Sequence, residues 1–341
     1  MTKPARIALS RRHFLRSTVG GLGAIAFGSL QDPAKLALPH FAPRCKRVIH
    51  LYMAGGPSHL ETFDYKPELA KRHGEVMPTS ITEGQPVAQL QGQALKCFAP
   101  QHPFAKYGES QQEICTLFPQ IGSIADELCV VRSMHTEQIN HDPAHTFMNS
   151  GTQISGRPSM GSWVTYGLGS ESQNLPGFIV MTSVGKGGQS QPIASRQWSA
   201  GFLPSRFQGV EFNASGDPVH YVRRPSGISV SEQTRVVESI NRLNEYRNRV
   251  ILNPDLETRI RAYEMAFRMQ NLAPDLIDIK DESKATRELC GLDHKATTEF
   301  AHRCLLSRRF CEAGVRYVQV GTPYVWDQHG GLVKGHTKNA L

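Results

Sequence analysis

Acidic and histidine side chains recur in short groups along this sequence, and such groups are where a protein can bind a metal ion. Glu61 and Asp64 stand three residues apart in "AGGPSHLETFD". Asp327, His329 and His336 follow in the final stretch of the chain. In an extended segment, the period of two puts Asp327 and His329 on the same side. A carboxylate and an imidazole aimed together are ligands for zinc-like or manganese-like ions, although a loop Asp with a chance neighbour explains the pair equally well.

A second pair of histidines lies in "INHDPAHTFMNSG". Pro143 suits a first helical turn with Asn140 or Asp142 as the N-cap, which puts His141 and His145 one turn apart on the same helix face. Two imidazoles at this spacing can share a metal ion, or one of them can face an anionic substrate at the helix N-terminus. Ordinary surface histidines near a helix cap are the alternative.

Side chains so far apart in sequence need a scaffold that brings them together. Four β-rich runs predict strands, namely "RVIHLYM", "ELCVVRSM", "GFIVMTSV" and "VRYVQVGT". A helix is predicted before the fourth run, with Thr297 as its N-cap and Gly314 just past its end. Alternating strands and helices predict an α/β fold with a mostly parallel sheet flanked by helices. In such sheets ligands gather beyond the carboxyl ends of the strands, so we expect Glu61, His141 and Asp327 to lie close together.

Three other segments interrupt this alternation. Ser229 to Gly291 is charged and reads as a helical insertion, whose second helix begins with Asn253 as a cap and Pro254 at the first helical position. One apolar face of its first helix is marked by Val236, Ile240, Leu243 and Val250. Residues 75–112 predict a long excursion from the sheet, and "TSVGKGGQSQ" predicts a flexible loop.

The positive charge of the chain is concentrated at its amino end. Residues 1–47 hold nine of the 38 basic and one of the 30 acidic residues, which leaves 29 of each in the rest of the chain. This neutral body argues against a nucleic-acid partner. Arg11 and Arg12, followed by a short apolar run, match the twin-arginine export signal, although a basic arm on an amphipathic helix is the alternative.

We therefore assign residues 1–40 to a signal segment and residues 46–341 to one α/β domain. The apolar run Val19 to Leu30 falls short of the roughly 20 residues that span a bilayer, so membrane contact is expected only through the signal segment. The expected location is the periplasm or cell envelope. Seven cysteines without C-x-x-C spacing predict no zinc knuckle.

Several stretches together carry a resemblance to one family of exported proteins. They are "HLYMAGGPSHLETFDYKPEL", "LCVVRSMHTEQINHDPAHTFMNSG", "GRPSMGSWVTYGLGS", "LPGFIV", "RAYEMAFRMQ", "LLSRRFCEAGVRYVQV" and "WDQHGG". In this order they resemble domain-of-unknown-function family 1501, from about Lys46 to Leu341. That family is similar to sulfatases and to the alkaline phosphatase superfamily, whose α/β members hydrolyse or transfer phosphate and sulfate esters on metal ions.

The resemblance implies roles for individual residues. Glu61 and Asp64 fall where superfamily members place a metal-binding Asp, and Asp327 with His329 matches the family's W-D-x-H block. The position of the superfamily's nucleophile falls on His141, where no Ser, Thr or Cys stands. Three residues could substitute as the nucleophile, namely Ser133, Thr136 and Thr146, or His141 could itself be a ligand or acceptor, with His145 also at the substrate.

The resemblance thus implies an exported hydrolase of phosphate or sulfate esters that depends on a divalent metal ion, either zinc, manganese or calcium. The alternative is a non-catalytic envelope protein that binds an anionic ligand or glycopolymer. Family members continue past the W-D-x-H block with another helix and strand, so the resemblance also implies a shortened form with little or no activity.

Overall fold

The computed structural model describes residues 44–85, 90, 92–182, 194–214, 217–219, 224, 226–251, 254–322 and 326–340. Residues 47–341 form one compact unit. The predicted signal segment, the loop around Lys186 and the cap Asn253 lie outside the described residues. In the described part of the chain, no helix combines the length and the apolar character that crossing a bilayer requires.

A parallel four-stranded sheet forms the centre of the unit. The strands of the described residues are β1 (Val48–Tyr52), β2 (Phe104–Tyr107), β3 (Gln112–Cys115), β4 (Phe178–Thr182), β5 (Val210–Glu211) and β6 (Tyr317–Gly321). The sheet has the order β1-β6-β4-β5, and every pair in it is parallel. Tyr317 pairs with Val48 on one side and with Phe178 on the other, so β6 lies between β1 and β4. Strands β2 and β3 form a separate antiparallel hairpin.

Helices surround this sheet. The α-helices are α1 (Pro67–Lys71), α2 (Thr79–Thr82), α3 (Pro119–Gly122), α4 (His141–Ser150), α5 (Met160–Leu168), α6 (Val230–Ile251), α7 (Pro254–Ile277), α8 (Lys284–Cys290), α9 (Thr298–Glu312) and α10 (Leu332–Ala340). Short 3-10 helices occur at His59–Glu61, Ala125–Glu127, Ser195–Trp198 and Ser205–Phe207. The predicted α/β class with a mostly parallel sheet flanked by helices is confirmed.

Strands β4 and β6 are buried on both faces, to which successive side chains point in turn, whereas Ile49 and Leu51 of β1 are 42% and 49% exposed. On one face, Ile179 and Met181 of β4 belong to a core cluster with residues of α7 and α9. On the other face, Phe178 and Val180 pack with Trp198 and Tyr317, and α5 contributes Val164. Burial on both sides explains why β4 and β6 read as nearly continuous apolar runs.

The second predicted strand, "ELCVVRSM", is wrong. This stretch contains the end of the 3-10 helix Ala125–Glu127 and continues without regular structure through Met134. Val131 is 58% exposed and Met134 is 70% exposed. A parallel-sheet strand needs a hydrogen-bonded neighbour and burial of its apolar side chains, and this segment lacks both within the described residues. The hairpin β2–β3 and the two-residue strand β5 were not predicted.

The helical insertion between Ser229 and Gly291 consists of α6, α7 and α8. Helix α7 begins at Pro254 as predicted. Thr297 is the N-cap of α9, but its hydroxyl donates to the Gly291 carbonyl at 2.6 Å rather than accepting from the helix. The position of that helix was therefore predicted correctly, whereas the capping chemistry was not.

Candidate functional site

Two of the three predicted polar clusters meet beyond the carboxyl end of β6. His141, the first residue of α4, places its Nε2 atom 3.2 Å from Oδ2 of Asp327. Nε2 of His329 contacts the same carboxylate oxygen. One potential ligand atom from each of the three side chains lies within 4.8 Å of the others. The predicted proximity of His141 and Asp327 is therefore present, and His329 joins them.

The loop that carries Asp327 is held against the end of β1. The amide N–H of Thr322 donates to the Tyr52 carbonyl at 2.8 Å, and the Thr322 hydroxyl accepts from the Ala54 amide at 3.1 Å. Gly55 has a φ of +90°, and a Cβ at this position would lie 2.9 Å from the backbone nitrogen of Asp327. The glycine-rich turn thus permits the close approach of two backbones that puts Asp327 at the site.

Helix α4 presents its amino end to the same place. Asn140 is its N-cap, although no side-chain hydrogen bond caps the helix, and Gly151 ends it with a φ of +73°. The helix dipole gives this end a partial positive charge. An anionic ligand at the His141 side chain would therefore lie in a favourable field.

His145 lies one turn further along α4 and is almost completely buried. Its ring packs edge-on against Tyr52 and His141, with centroid distances of 5.4 and 6.0 Å. Nδ1 of His145 lies 3.5 Å from Nε2 of Gln197. Burial, and secondarily the neighbouring His141, lowers the pKa of His145 to about 4. The ring is therefore neutral at physiological pH and fills the space beneath His141.

Arg196 is a residue near the site that sequence reasoning missed. The 3-10 helix Ser195–Trp198 brings its guanidinium into an ion pair with Asp142 in the first turn of α4. The same short helix supplies Gln197 beneath His145. An arginine in an unpatterned stretch more than fifty residues away from its partner leaves no periodic signal that could have identified it.

Glu61, one of the predicted metal ligands, forms hydrogen bonds with groups outside the three-residue cluster. Its carboxylate accepts hydrogen bonds from the backbone amides of Gln101 at 2.8 Å and His102 at 3.2 Å, and lies 3.0 Å from Nδ1 of His102. Its backbone carbonyl lies 3.0 Å from Nε2 of the buried His336. Glu61 therefore holds the segment before β2 and helix α10 in place, and neither Glu61 nor His336 belongs to the three-residue cluster.

The remaining predicted residues have contacts of other kinds. Asp64 forms an ion pair with Lys66 at 2.9 Å. Ser133 lies exposed in a turn. The Thr136 hydroxyl accepts from the Gln138 amide at 3.2 Å, and the buried Thr146 hydroxyl donates to the Asp142 carbonyl at 3.0 Å. The hydrogen bonds described for Thr136 and Thr146 thus join them to Gln138 and Asp142 and not to Asp327.

The chemistry of the three-residue cluster fits a divalent metal ion. Two imidazole nitrogens and one carboxylate are a donor set that zinc accepts, and three protein ligands leave a coordination position open for a further group. His141 and Asp327 are partly buried, with 30% and 18% of their side chains exposed. A small ligand can therefore reach the donors from solvent.

Comparison with known proteins identifies one matching protein family. A family model described as "Protein of unknown function (DUF1501)" matches residues 45–341. Neither a curated protein nor a solved structure matches the chain.

Proposed function

Because the chain belongs to the family described as Protein of unknown function (DUF1501), and this description names no activity, we propose its function from the geometry of the site. The proposed function is that of an exported, metal-dependent hydrolase of phosphate or sulfate esters. The observation that carries this proposal is the convergence of His141, Asp327 and His329 on one point beyond the sheet. The resemblance of the sequence to sulfatases and alkaline phosphatases supplies the reaction class, and paired Arg11 and Arg12 supply the export route.

In this proposal His141, Asp327 and His329 would hold a divalent ion, with zinc, manganese and calcium as the candidates. A bound ion supplies Lewis-acid stabilisation of the charge that develops on the transferred group and lowers the pKa of water. Two nitrogen donors favour zinc or manganese over calcium, since calcium prefers a shell made of oxygen atoms.

The chain's own groups would recognise the anion. The amino end of α4 points its partial positive charge toward the cluster, and Arg196 adds a guanidinium beside the first turn. His145 stays neutral and packs against His141, which fixes the orientation of that ring. Since the Thr146 hydroxyl donates to the Asp142 carbonyl and Ser133 lies exposed in a turn, we assign the attack on the ester to water.

The alternative is a non-catalytic envelope protein that binds an anionic ligand or glycopolymer at the same point. A specific observation favours it, because Glu61 and Asp64 are engaged by His102 and Lys66 and add no ligand to the cluster. Three donors suffice to bind an ion together with an anion, whereas turnover also requires a positioned nucleophile.

The two candidates separate in one set of measurements on the purified chain. Bound metal is measured by elemental analysis, and hydrolysis of an aryl phosphate and an aryl sulfate is followed with and without added ion. We expect Asp327→Asn to abolish both metal binding and turnover, and Asp64→Asn to preserve both. Metal binding without turnover of either ester would favour the binding protein, and the absence of metal binding would contradict the metal-dependent hydrolase.

A further inference from the structure

Helix α6 turns its polar side inward and its apolar side toward solvent. Val237, Asn241 and Asn244 are partly buried, and Nδ2 of Asn241 donates to the Glu264 carboxylate of α7 at 2.8 Å. Three residues of the apolar stripe that the sequence marks on this helix are exposed, with exposed fractions of 56% for Val236, 48% for Ile240 and 69% for Leu243. A surface helix normally buries such a stripe, so this face has the composition of an interface.

The spacing of the stripe fits pairing with another helix. Val236, Ile240 and Leu243 follow each other at intervals of four and three residues, which is the pattern of a coiled-coil seam. At about 100° per residue they span an arc of roughly 60° on the helix surface. Helix α6 has 22 residues, which corresponds to a length of about 33 Å. The stripe is therefore narrow and straight enough to contact one further helix.

Charges at the two ends of the stripe indicate which helix that is. Glu232 and Arg247 are both exposed and lie on the same side of α6 as the stripe. When two copies of α6 run antiparallel about a two-fold axis between Ser239 and Ile240, Glu232 of each copy meets Arg247 of the other. The same operation puts Val236 of each copy opposite Leu243 of the other. The stripe is thus complementary to itself in both charge and shape.

We propose that α6 is a self-association helix, and that a second copy of this chain is its partner in an antiparallel two-fold dimer. A two-fold axis closes the assembly, because the same patch is used on both subunits and nothing remains exposed to add a third. One helix pair buries less surface than a standard interface of about 1,600 Å², so the dimer forms reversibly and depends on concentration. This inference is independent of the chemistry at the His141 cluster.

A charge-exchange experiment tests the geometry. The full chain is studied by sedimentation velocity over a wide range of concentrations, alone and as the single variants Glu232→Lys and Arg247→Glu. Each variant places like charges opposite each other in its own homodimer, and we expect its dimer to be at least about tenfold weaker. An equimolar mixture of the two variants restores both pairs, so we expect it to dimerise as tightly as the unmodified chain.

The mixture also controls for local effects. Glu232 accepts from the backbone amide of Ser229 at 2.8 Å, so its replacement loosens the first turn of α6 whether or not a dimer forms. Circular dichroism of each variant measures any loss of helix content. Mixing the two variants does not restore helix content lost within one chain. Glu238→Lys and Arg242→Glu are matched controls, because they make the same charge changes on the opposite side of the helix from the stripe.

Three results would contradict the proposal. One is an unmodified chain that stays monomeric at every concentration, which would mean that another partner or another segment of the chain covers the stripe. Another is a mixture of Glu232→Lys and Arg247→Glu that associates no more tightly than either variant alone. Dimerisation that the Glu238→Lys control weakens as much as Glu232→Lys does would also contradict this register.

Discussion

Gly55 sets how closely the loop that carries Asp327 can approach the end of β1. Its positive φ is strained for any residue with a side chain, and a Cβ there would also press on the backbone of Asp327. We expect Gly55→Ala to lose roughly 2–4 kcal/mol in the free energy of unfolding and to weaken metal binding, because Asp327 has to move away. Denaturant unfolding and metal titration measure the two effects.

Gly56 offers a control for the backbone strain alone. Its φ is +68°, and no atom lies within 4 Å of the position that a Cβ would take. Gly56→Ala is therefore expected to cost only about 1–2 kcal/mol and to leave the metal affinity unchanged. Equal metal affinity in both glycine variants would mean that the contact with Gly55 does not position Asp327.

His145 gives the metal-free protein a predictable dependence on pH. Its pKa is about 4 in the folded chain and about 6.5 when unfolded. The folded state therefore resists protonation, so its stability is complete above pH 6.5 and is lost as the pH falls toward 4. We expect this one residue to account for roughly 1–2 kcal/mol of the loss between pH 7 and pH 5.

Denaturant unfolding at a series of pH values in the presence of a chelator measures this loss. His145→Asn keeps an acceptor near Gln197 but cannot titrate, so its stability should change less between pH 7 and pH 5 than that of the unmodified chain. Burial also lowers the pKa of His336, which therefore adds to the loss in the same direction. A His145→Asn profile parallel to the unmodified one would contradict the assignment of a lowered pKa to His145.

At the scale of elements, Glu61 connects a 3-10 helix, the segment before β2 and helix α10. The three N–H groups that face its buried carboxylate come from Gln101 and His102, and His102 also contacts Thr337 through Nε2 at 3.1 Å. We expect Glu61→Gln to cost about 2–3 kcal/mol of stability, because an amide is a weaker acceptor than a carboxylate and turns a donor toward donors. Metal content should not change.

Thermal unfolding and elemental analysis check this prediction, with Glu83→Gln at an exposed position as the control. A loss of metal in Glu61→Gln with unchanged stability would instead restore Glu61 to the metal site that the family resemblance implies. The experiment therefore decides between a positioning role and a ligand role for this residue.

The sequence predicts those elements whose own pattern is strong. Strands β1, β4 and β6 were predicted because their apolar runs end at turn residues, and α7 because Pro254 marks its first position. The run "ELCVVRSM" has the same local pattern but forms no strand, because strand formation depends on a neighbour that no local pattern encodes. The hairpin β2–β3 was missed because its strands pair, for example at Lys106 and Glu113, although the sequence of this segment has only weak periodicity.

The candidate site was predictable where motif and topology agree. Asp327 follows strand β6, as general rules for α/β sheets suggest. His141 was expected there because "ELCVVRSM" was predicted as a strand before it, but this segment forms no strand, and His141 reaches Asp327 from the first turn of α4. Arg196 and His102 were not predictable, because each acts through a contact with a residue far away in sequence. Tertiary contacts of this kind depend on the path of loops, which composition and spacing do not specify.

At the scale of the whole molecule, export is expected to depend on Arg11 and Arg12. The twin-arginine pattern requires both guanidinium groups, so replacing both with Lys should retain the protein in the cytoplasm. Cell fractionation followed by immunoblotting measures the distribution, with Arg16→Lys as a control outside the pair. Unimpaired export of the double variant would contradict the assignment of residues 1–40 to a signal segment.

The pairing of β1 with β6 also sets the order of events during biosynthesis. Tyr52 pairs with Gly321, so nearly the whole unit must be synthesised before the first strand of the sheet finds its neighbour. Such a large sequence separation makes folding slow and leaves β1 without this neighbour while the ribosome is still translating the chain. Asp327 reaches Gly55 only after that closure. If the cluster binds the proposed ion, metal uptake is therefore a late step, and bound ion would report that a newly made molecule has finished folding.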